Sequence, residues 1–398
     1  MSTEKRRIAI LTERIYPLYS GGSEKVMYDY ATILSKMSEV TVFTSFNQNN
    51  AKQTIENVKF AFISKKSKNN NRVGNHSVIG ILFFSLATAW RHRKIQHFDL
   101  VILDSIHYFY PIFLLKFLKK RNAKVVTIFH EAWYEYRKSG AVSPPISYFM
   151  GICIKRLIRY SDKIVSVSDP TTESLIRNYG VKKDKIVTIA LGIDYNKLAY
   201  SYPSKKIKDR HYDLVFVGRF AAIKRVCDIV DAVSILTMRG KKLKVALVGD
   251  GPQRKLVEQK IKKLGLCEKF QVMGFLNENE KYFTMANSKI FILPSEREGF
   301  SLSVLEAMAL GCIPIVSRPE FNEVFGVSHF VKNGENGFYY SVRNVNELAQ
   351  TIIGCIDNLE SSQLISFKAA EASRFYSISE MSRKIYDMLT QLTFQDIT

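Results

Sequence analysis

The sequence is most constrained by one repeated pattern, in which a short apolar run rich in β-branched residues is followed by a turn and an amphipathic helical stretch. The pattern occupies residues 7–189 and restarts after the polar segment Ser201–Arg210. Apolar runs that alternate with helices are typical of parallel sheets covered by helices. Two such series predict an α/β chain with two doubly wound domains, whose ligands bind at the carboxyl ends of the strands and in the cleft between the domains.

The pattern also predicts the individual elements. The predicted strands are Arg7–Thr12, Val40–Thr44, Val58–Ile63, Leu100–Asp104, Val125–Phe129, Ile164–Val167, Ile186–Ile189, Leu214–Val217, Lys244–Val248, Phe270–Met273, Ile290–Leu293 and Pro314–Val316. The predicted helices include Ser23–Met37, Tyr108–Lys120, Thr171–Tyr179, Arg225–Met238, Arg254–Leu264, Ser303–Leu310 and Val345–Asn358. We expect the polar, basic segment Lys65–Arg72 to be a mobile loop.

The positive charge is concentrated in the N-terminal half. Lys and Arg number 58 against 37 Asp and Glu, and residues 1–200 hold 31 of the basic and 15 of the acidic side chains. This asymmetry indicates an acidic partner for that half, such as a membrane surface, a phosphorylated substrate or nucleic acid.

Cysteine spacing and apolar run length exclude several classes of protein. The five cysteines are scattered without a CxxC pair, which is typical of reduced, buried thiols in a cytosolic protein and argues against a disulfide framework or a zinc site. The longest apolar run, Val78–Trp90, has 13 residues, whereas a membrane-spanning helix needs about 20. Because the N-terminal stretch also lacks the pattern of a signal peptide, we expect a cytoplasmic protein.

Glycines follow two of the predicted strands. Gly21 and Gly22 precede the first helix, where backbone N–H groups could approach a diphosphate or a sugar. A plain turn with Ser23 as N-cap is the alternative. Gly249 and Gly251 begin like a dinucleotide fingerprint, but Arg254 occupies the third glycine position, which argues against a nicotinamide dehydrogenase.

Charged residues follow two other strands. Arg219 and Lys224 share a loop directly after a strand, where they could clamp a diphosphate or could simply be solvated. Glu298 and Glu306 flank the start of the helix Val304–Leu310. A carboxylate there suits a ribose diol and the free N–H groups suit phosphate, although acidic residues also stabilise a helix start without binding anything.

Together these elements resemble the retaining glycosyltransferases of the GT-B fold, specifically family 4 (glycosyl transferases group 1), over nearly the whole chain. The resemblance lies in Leu191-Gly192-Ile193-Asp194, Gly218-Arg219 with Lys224, Gly249-Asp250-Gly251-Pro252, Gly274-Phe275, the E-x7-E arrangement from Glu298 to Glu306, its continuation Ala307–Val316, and Val331–Phe338. It implies two Rossmann-like domains, 1–202 on the acceptor side and 203–375 for the nucleotide sugar, with a helix in 376–398 packing back on the first domain.

The resemblance further implies transfer of a hexose from a nucleotide-diphosphate sugar with retention, without a metal ion or other cofactor. Arg219 and Lys224 would bind the diphosphate and stabilise the leaving group, Glu306 the ribose, and Glu298 the hydroxyls of the donor sugar. His130 would approach that sugar from the first domain. The remaining residues implied to contact the nucleotide sugar are Gly22, Gly249, Gly274, Phe275, Gly299, Phe300, Ser301 and Leu302. Arg225 departs from the family, which usually has glycine there, so it either meets phosphate or only starts the following helix.

The acceptor is expected on the basic N-terminal domain. Ile79–Lys94 and Tyr108–Arg121 combine apolar and aromatic residues with basic ends, as in helices that lie in a membrane interface, although core helices with solvated basic ends share this composition. We therefore expect a lipid-linked glycan or glycolipid acceptor at an anionic membrane surface, with the protein bound peripherally at the cytoplasmic face. A soluble acceptor and a non-catalytic scaffold are the alternatives, and no motif indicates nucleic acid.

Overall fold

The chain forms two parallel sheets. The computed structural model describes residues 6–16, 21–46, 57–65, 78–95, 97–105, 110, 112–131, 144–203, 205–318 and 325–394. Most of the predicted loop Lys65–Arg72, all but Lys65, lies outside these residues.

The first sheet has seven parallel strands in the order β3-β2-β1-β4-β5-β6-β7. They are β1 (Arg7–Leu11), β2 (Glu39–Phe46), β3 (Val58–Lys65), β4 (Leu100–Asp104), β5 (Lys124–Phe129), β6 (Lys163–Ser166) and β7 (Ile186–Thr188). Because β1 pairs with both β2 and β4, the strand order reverses beside β1. In open α/β sheets this is the place where ligands bind, outside the carboxyl ends of the strands.

The helices of the first unit lie on the two faces of this sheet. They are α1 (Gly22–Ser35), α2 (Val78–Trp90), α3 (His92–Ile95), α4 (Ile112–Lys120), α5 (Pro144–Tyr160) and α6 (Asp169–Tyr179). One hydrophobic core joins α2, α4, α5 and α6 to alternate strand residues such as Ala9 and Leu11. The intervening Ile8 and Ile10 are also fully buried, on the opposite face.

The second sheet has six parallel strands in the order β10-β9-β8-β11-β12-β13. They are β8 (Tyr212–Val217), β9 (Val245–Val248), β10 (Phe270–Gly274), β11 (Ser288–Leu293), β12 (Ile313–Arg318) and β13 (Phe338–Ser341). The helices are α7 (Tyr195–Ser201), α8 (Val226–Met238), α9 (Arg254–Lys263), α10 (Glu278–Ala286), α11 (Leu302–Ala309), α12 (Val345–Asp357), α13 (Leu359–Ser373) and α14 (Ile378–Phe394). Here the order reverses beside β8, which pairs with β9 and β11.

The chain divides into two compact units, Leu191–Met381 and the remainder on either side of it. The division falls after Ala190, earlier than the sequence-based boundary at 202, because α7 packs against α11 of the second unit. Helix α14 begins in the second unit and continues into the first, where the Tyr386 hydroxyl donates a hydrogen bond of 3.2 Å to the Ile33 carbonyl. The predicted packing of this helix on the first domain agrees with that contact.

The two segments that lead from one unit to the other are hydrogen-bonded together. Ile193 N–H donates to the Tyr376 carbonyl at 2.9 Å, and Ile378 N–H donates to the Ile193 carbonyl at 3.0 Å. A Cβ atom on Gly192 would lie 2.6 Å from the backbone of Ser377, so only glycine fits there. The Leu191–Asp194 element of the sequence therefore corresponds to a close backbone crossing.

All five cysteines are free thiols. The prediction that they are buried is confirmed for Cys153, Cys312 and Cys355 but is wrong for Cys267, which is exposed, and Cys227 is half-buried. Burial raises the pKa of Cys312 to about 11, which is the behaviour of an unreactive core thiol. None of the described helices combines the length and apolar character that a bilayer-spanning helix requires.

Candidate functional site

The loop after β8, residues 218–225, is here called the cation loop. Its backbone is fixed to the end of β9 and to the loop that follows, because Gly218 N–H donates to the Val248 carbonyl at 3.0 Å and Phe220 N–H donates to the Asp250 carbonyl at 2.9 Å. The Phe220 side chain is fully buried below it. These contacts hold the part of the loop that carries Arg219.

Gly249 and Gly251 permit this close packing of loops. Gly249 has φ 131°, and a Cβ atom there would lie 1.9 Å from the Gly218 carbonyl oxygen. Gly251 has φ 154°, and its Cβ atom would lie 2.6 Å from the Phe220 oxygen. Packing of backbone on backbone thus explains both glycines, and a contact of Gly249 with the nucleotide sugar stays a prediction.

The loop after β11, residues 294–301, is here called the glutamate loop. Glu298 in this loop forms an ion pair with Lys224 of the cation loop, and both side chains are largely buried. The Glu298 backbone is held by Gly326, whose N–H donates to the Glu298 carbonyl at 2.8 Å. Gly326 must be glycine, since a Cβ atom would lie 1.8 Å from the Gly299 oxygen. The structure therefore brings together Lys224 and Glu298, which the sequence places 74 residues apart.

The start of α11 presents backbone donors next to this ion pair. Ser301 is the N-cap residue with φ 78°, and its side chain makes no capping hydrogen bond. The first N–H groups of a helix have no intrahelical acceptor and favour an anion. Phe300, by contrast, is buried and packs against Phe330 with ring centroids 5.0 Å apart, so its side chain supports the loop from below.

Glu306 of α11 is held by two residues of α10. Its carboxylate accepts hydrogen bonds from Lys281 Nζ at 2.9 and 3.0 Å and from the Tyr282 hydroxyl at 2.9 Å. Lys281 and Tyr282 were not predicted from the sequence, because α10 was not predicted. The capping box of Asn277 and Glu280 was the signal for that helix.

Gly274 and Phe275 lie where β10 ends. Gly274 has φ 67°, and its carbonyl accepts a 2.7 Å hydrogen bond from Gly249 N–H. The Phe275 side chain is exposed. Arg254, at the third position of the incomplete fingerprint, is paired with Asp250 at 3.1 Å and with Glu258 at 2.8 Å.

The first unit holds His130 and Gly22. His130 directly follows β5, and its Nε2 lies 3.3 Å from the buried Oδ1 of Asp104 at the end of β4. Asp104 also accepts a 3.0 Å hydrogen bond from the Thr12 hydroxyl. Burial, together with the charge of Asp104, raises the pKa of the Tyr110 phenol well above its ordinary value. The imidazole thus lies beside the Asp104 carboxylate at the carboxyl edge of the sheet, although its Nε2 makes no hydrogen bond to any described residue.

The turn at Gly21 and Gly22 is not capped by Ser23, which was the alternative to a ligand-binding turn. The N-cap of α1 is Gly21, and the Ser23 hydroxyl donates to the Glu24 carboxylate at 2.9 Å instead of capping the helix. The interpretation of Ser23 as N-cap is therefore wrong. A Cβ atom on Gly21 would collide with the Glu24 carboxylate at 2.1 Å, whereas the space around Gly22 is open.

Models of two protein families match the chain. The model described as "Glycosyltransferase Family 4" matches residues 20–197, and the model described as "Glycosyl transferases group 1" matches residues 202–371. The two matches follow one another along the chain and leave only its ends and a few central residues uncovered.

Individual proteins are similar to parts or all of the chain. Glycogen synthase of Mycobacterium tuberculosis is 25% identical to this chain over an aligned region of 227 residues. That region covers 57% of this chain and 53% of the glycogen synthase. N-acetyl-alpha-D-glucosaminyl L-malate synthase of Bacillus anthracis is 26% identical over 80% of this chain and 83% of its own length. The structure of HepE from Anabaena, solved with UDP and glucose, matches with a TM-score of 0.74 at 18% identity and covers 97% of this chain and 100% of its own.

Proposed function

Because the chain belongs to the family 4, group 1 glycosyltransferases and has their two-sheet GT-B fold, we propose that it transfers a hexose from a nucleotide-diphosphate sugar to a lipid-linked glycan or glycolipid. The transfer retains the configuration of the anomeric carbon and needs no metal ion. It takes place at the cytoplasmic face of a membrane, to which the protein binds peripherally.

The observation that carries this proposal is the ion pair of Lys224 and Glu298 beside the uncapped start of α11. A cation and free N–H groups at the carboxyl ends of neighbouring strands can bind a diphosphate, and the adjacent carboxylate can accept hydrogen bonds from sugar hydroxyls. Arg219, on the same loop as Lys224, adds a second cation. Positive charge fixed at the diphosphate stabilises the leaving group as the glycosidic bond breaks, which is the main catalytic effect expected here.

Glu306 supports the proposal that the donor contains a nucleotide. Its carboxylate is fixed by Lys281 and Tyr282, and a fixed carboxylate can accept hydrogen bonds from both hydroxyls of a ribose. HepE, which has the same fold, was solved with UDP and glucose. His130, which lies beside Asp104, is proposed to contact the donor sugar, and we assign no protein nucleophile.

The membrane part of the proposal rests on the outer surface of three helices of the first unit. Helices α2, α4 and α5 share one core, so they cover the same face of the sheet. Their outer sides expose Phe83, Trp90, Phe113, Tyr148 and Phe149. Exposed basic residues accompany these side chains on or just after each helix, namely Arg91, Arg93, Lys94, Lys116, Lys120, Arg121, Lys155, Arg156 and Arg159. Apolar aromatic side chains with neighbouring cations are typical of surfaces that bind anionic lipid.

A soluble acceptor is the second candidate. The Bacillus anthracis relative, similar over most of this chain, is by its name a synthase of an L-malate glycoside. The acceptor class therefore needs a test separate from that of the donor.

The donor is tested by thermal shift of the purified protein with UDP, GDP, ADP and their sugar conjugates, without added metal. A ligand present at about 100 times its dissociation constant stabilises the folded state by about 2.7 kcal/mol, which is readily measured. A shift with one nucleotide would support the proposal and identify the base. The absence of a shift with every nucleotide would contradict it.

Membrane binding is tested by co-sedimentation of the protein with phosphatidylcholine vesicles that contain roughly one-third phosphatidylserine. We expect binding that weakens with salt and that falls when Trp90, Phe113 and Phe149 are all changed to Ser. Phe367→Ser is the matched control, because Phe367 is similarly exposed but belongs to α13 of the second unit. If no salt-sensitive binding occurs, the soluble acceptor is favoured.

A further inference from the structure

Arg225 is the last residue of the cation loop, and it has a backbone conformation that is unfavourable for arginine. Its φ of 47° is in the left-handed region, which glycine and asparagine tolerate and other residues adopt at a cost. This explains why glycine is usual there in the family that the sequence resembles. An arginine at this position therefore needs compensating contacts.

The Arg225 side chain makes those contacts with two carboxylates. Nε and Nη2 donate to the two oxygens of Asp228 at 2.8 and 3.0 Å, and Nη1 donates to Glu296 Oε1 at 3.2 Å. Asp228 lies in the first turn of α8, so the fork fixes the guanidinium on its own helix. The bond to Glu296 then reaches across to the glutamate loop.

Glu296 joins the two loops a second time through its backbone. Its N–H donates to the Ile223 carbonyl at 2.9 Å. The Glu296 carboxylate is held from the other side by Arg343, whose Nη2 lies 2.9 Å away. Along the chain these contacts lie next to Lys224 and two residues before Glu298, so they flank the ion pair proposed to bind the donor.

From this arrangement we propose that Arg225 and Glu296 are positioning residues, which hold the cation loop against the glutamate loop so that Lys224 meets the diphosphate. The inference rests on the proposed function. We assign Arg225 no direct contact with phosphate, because its guanidinium would have to give up hydrogen bonds to two carboxylates in order to make one.

Isothermal titration of UDP, GDP, UMP and GMP into Glu296→Gln separates this role from a direct contact. If Glu296 positions the cation loop, the substitution weakens binding of the preferred diphosphate by about tenfold, the effect of one lost charge-assisted hydrogen bond, and changes that of the monophosphate by less. If Arg225 contacted phosphate directly, the loss of Glu296 would release it and leave diphosphate binding unchanged or tighter. Unchanged or tighter binding, or an equal loss for both kinds of nucleotide, would overturn the inference.

A second substitution tests the inference even if Glu296→Gln does not fold. Arg225→Asn keeps a residue that tolerates the left-handed conformation and removes the guanidinium, so we expect a folded protein with the same selective loss of diphosphate affinity. Lys260→Met is the matched control, because it removes an ion pair with Asp231, which is on the same helix as Asp228 but belongs to neither loop. If Arg225→Asn binds the diphosphate as tightly as the wild type does, the inference is wrong. If the wild type binds none of these nucleotides, it is the proposed function that fails.

Discussion

At the scale of single residues, Lys224 and Glu298 show what the sequence could and could not indicate. Each was predicted from its position after a strand and from the family motif, and the structure adds that they form an ion pair. Lys281 and Tyr282 were not predicted, because their contact with Glu306 depends on how a mostly polar helix packs beside α11. A local pattern cannot reveal a partner that only tertiary packing provides.

Replacing Lys224 tests its proposed role directly. Lys224→Ala removes the cation that is proposed to stabilise the leaving group, so we expect transferase activity to fall roughly 100-fold or more, the usual effect of removing one group that stabilises the transition state. Lys289→Ala is the control, because Lys289 is a similarly buried lysine paired with Asp213 at 2.8 Å, at the start of β11. Full activity of the Lys224 variant would contradict the assignment.

The close packing at Gly249 predicts a large loss of stability on substitution. Gly249→Ala would place a Cβ atom 1.9 Å from the Gly218 oxygen at a positive φ, so we expect the free energy of unfolding to fall by about 2–4 kcal/mol. Gly354→Ala should have the opposite sign, with a gain of about 0.5–1 kcal/mol, because Gly354 lies within α12 with open space around it. Denaturant unfolding measures both, and an unaltered Gly249 variant would refute the packing argument.

At the scale of elements, the regular β-α alternation allowed the first twelve strands to be predicted to within a few residues. The thirteenth strand, β13, has only four residues, with the sequence Phe-Tyr-Tyr-Ser, which carries too little periodicity to identify it. Helix α5 begins with two prolines, which suit a first helical turn but also a loop. The elements that were missed are therefore those whose local pattern is short or ambiguous.

The capping box of α10 links the stability of an element to the site. Asn277→Ala removes the hydrogen bond that Glu280 N–H donates to the Asn277 side chain at 2.9 Å, so we expect a loss of about 1 kcal/mol in unfolding free energy. Because α10 carries Lys281 and Tyr282, nucleotide affinity should also fall. Asn277→Ser retains a capping oxygen and should preserve both quantities, as measured by thermal unfolding and titration. Equal behaviour of the Ala and Ser variants would argue against the cap.

At the scale of the whole molecule, the two series of strands and helices correspond to two sheets, but the division after Ala190 was not evident from composition. The polar segment Ser201–Arg210 looked like a linker, whereas Ile207 is buried and its N–H donates to the Gln363 side chain at 2.9 Å. Polarity marks a surface segment, and it does not show to which unit the segment belongs.

The position of α14 predicts that truncation of the chain near the start of this helix destabilises the first unit more than the second. Its residues Ile385, Met388, Leu389 and Leu392 are buried in the first unit. A chain that stops at Met381 would expose the apolar surface they cover, so we expect limited proteolysis to degrade the first unit and to leave a fragment close to Leu191–Met381. Tyr386→Phe, which removes only one hydrogen bond, should resemble the wild type. Equal resistance of both units in the truncated chain would contradict this.

The path of α14 also bears on the order in which the protein matures on the ribosome. The first unit is synthesised first, yet the residues that complete it emerge only after the whole of Leu191–Met381 has been made. At about 5–20 residues per second, the nascent N-terminal unit waits roughly 10–40 s with an uncovered apolar surface. The second unit, though translated later, therefore has its full complement of residues before the first unit does.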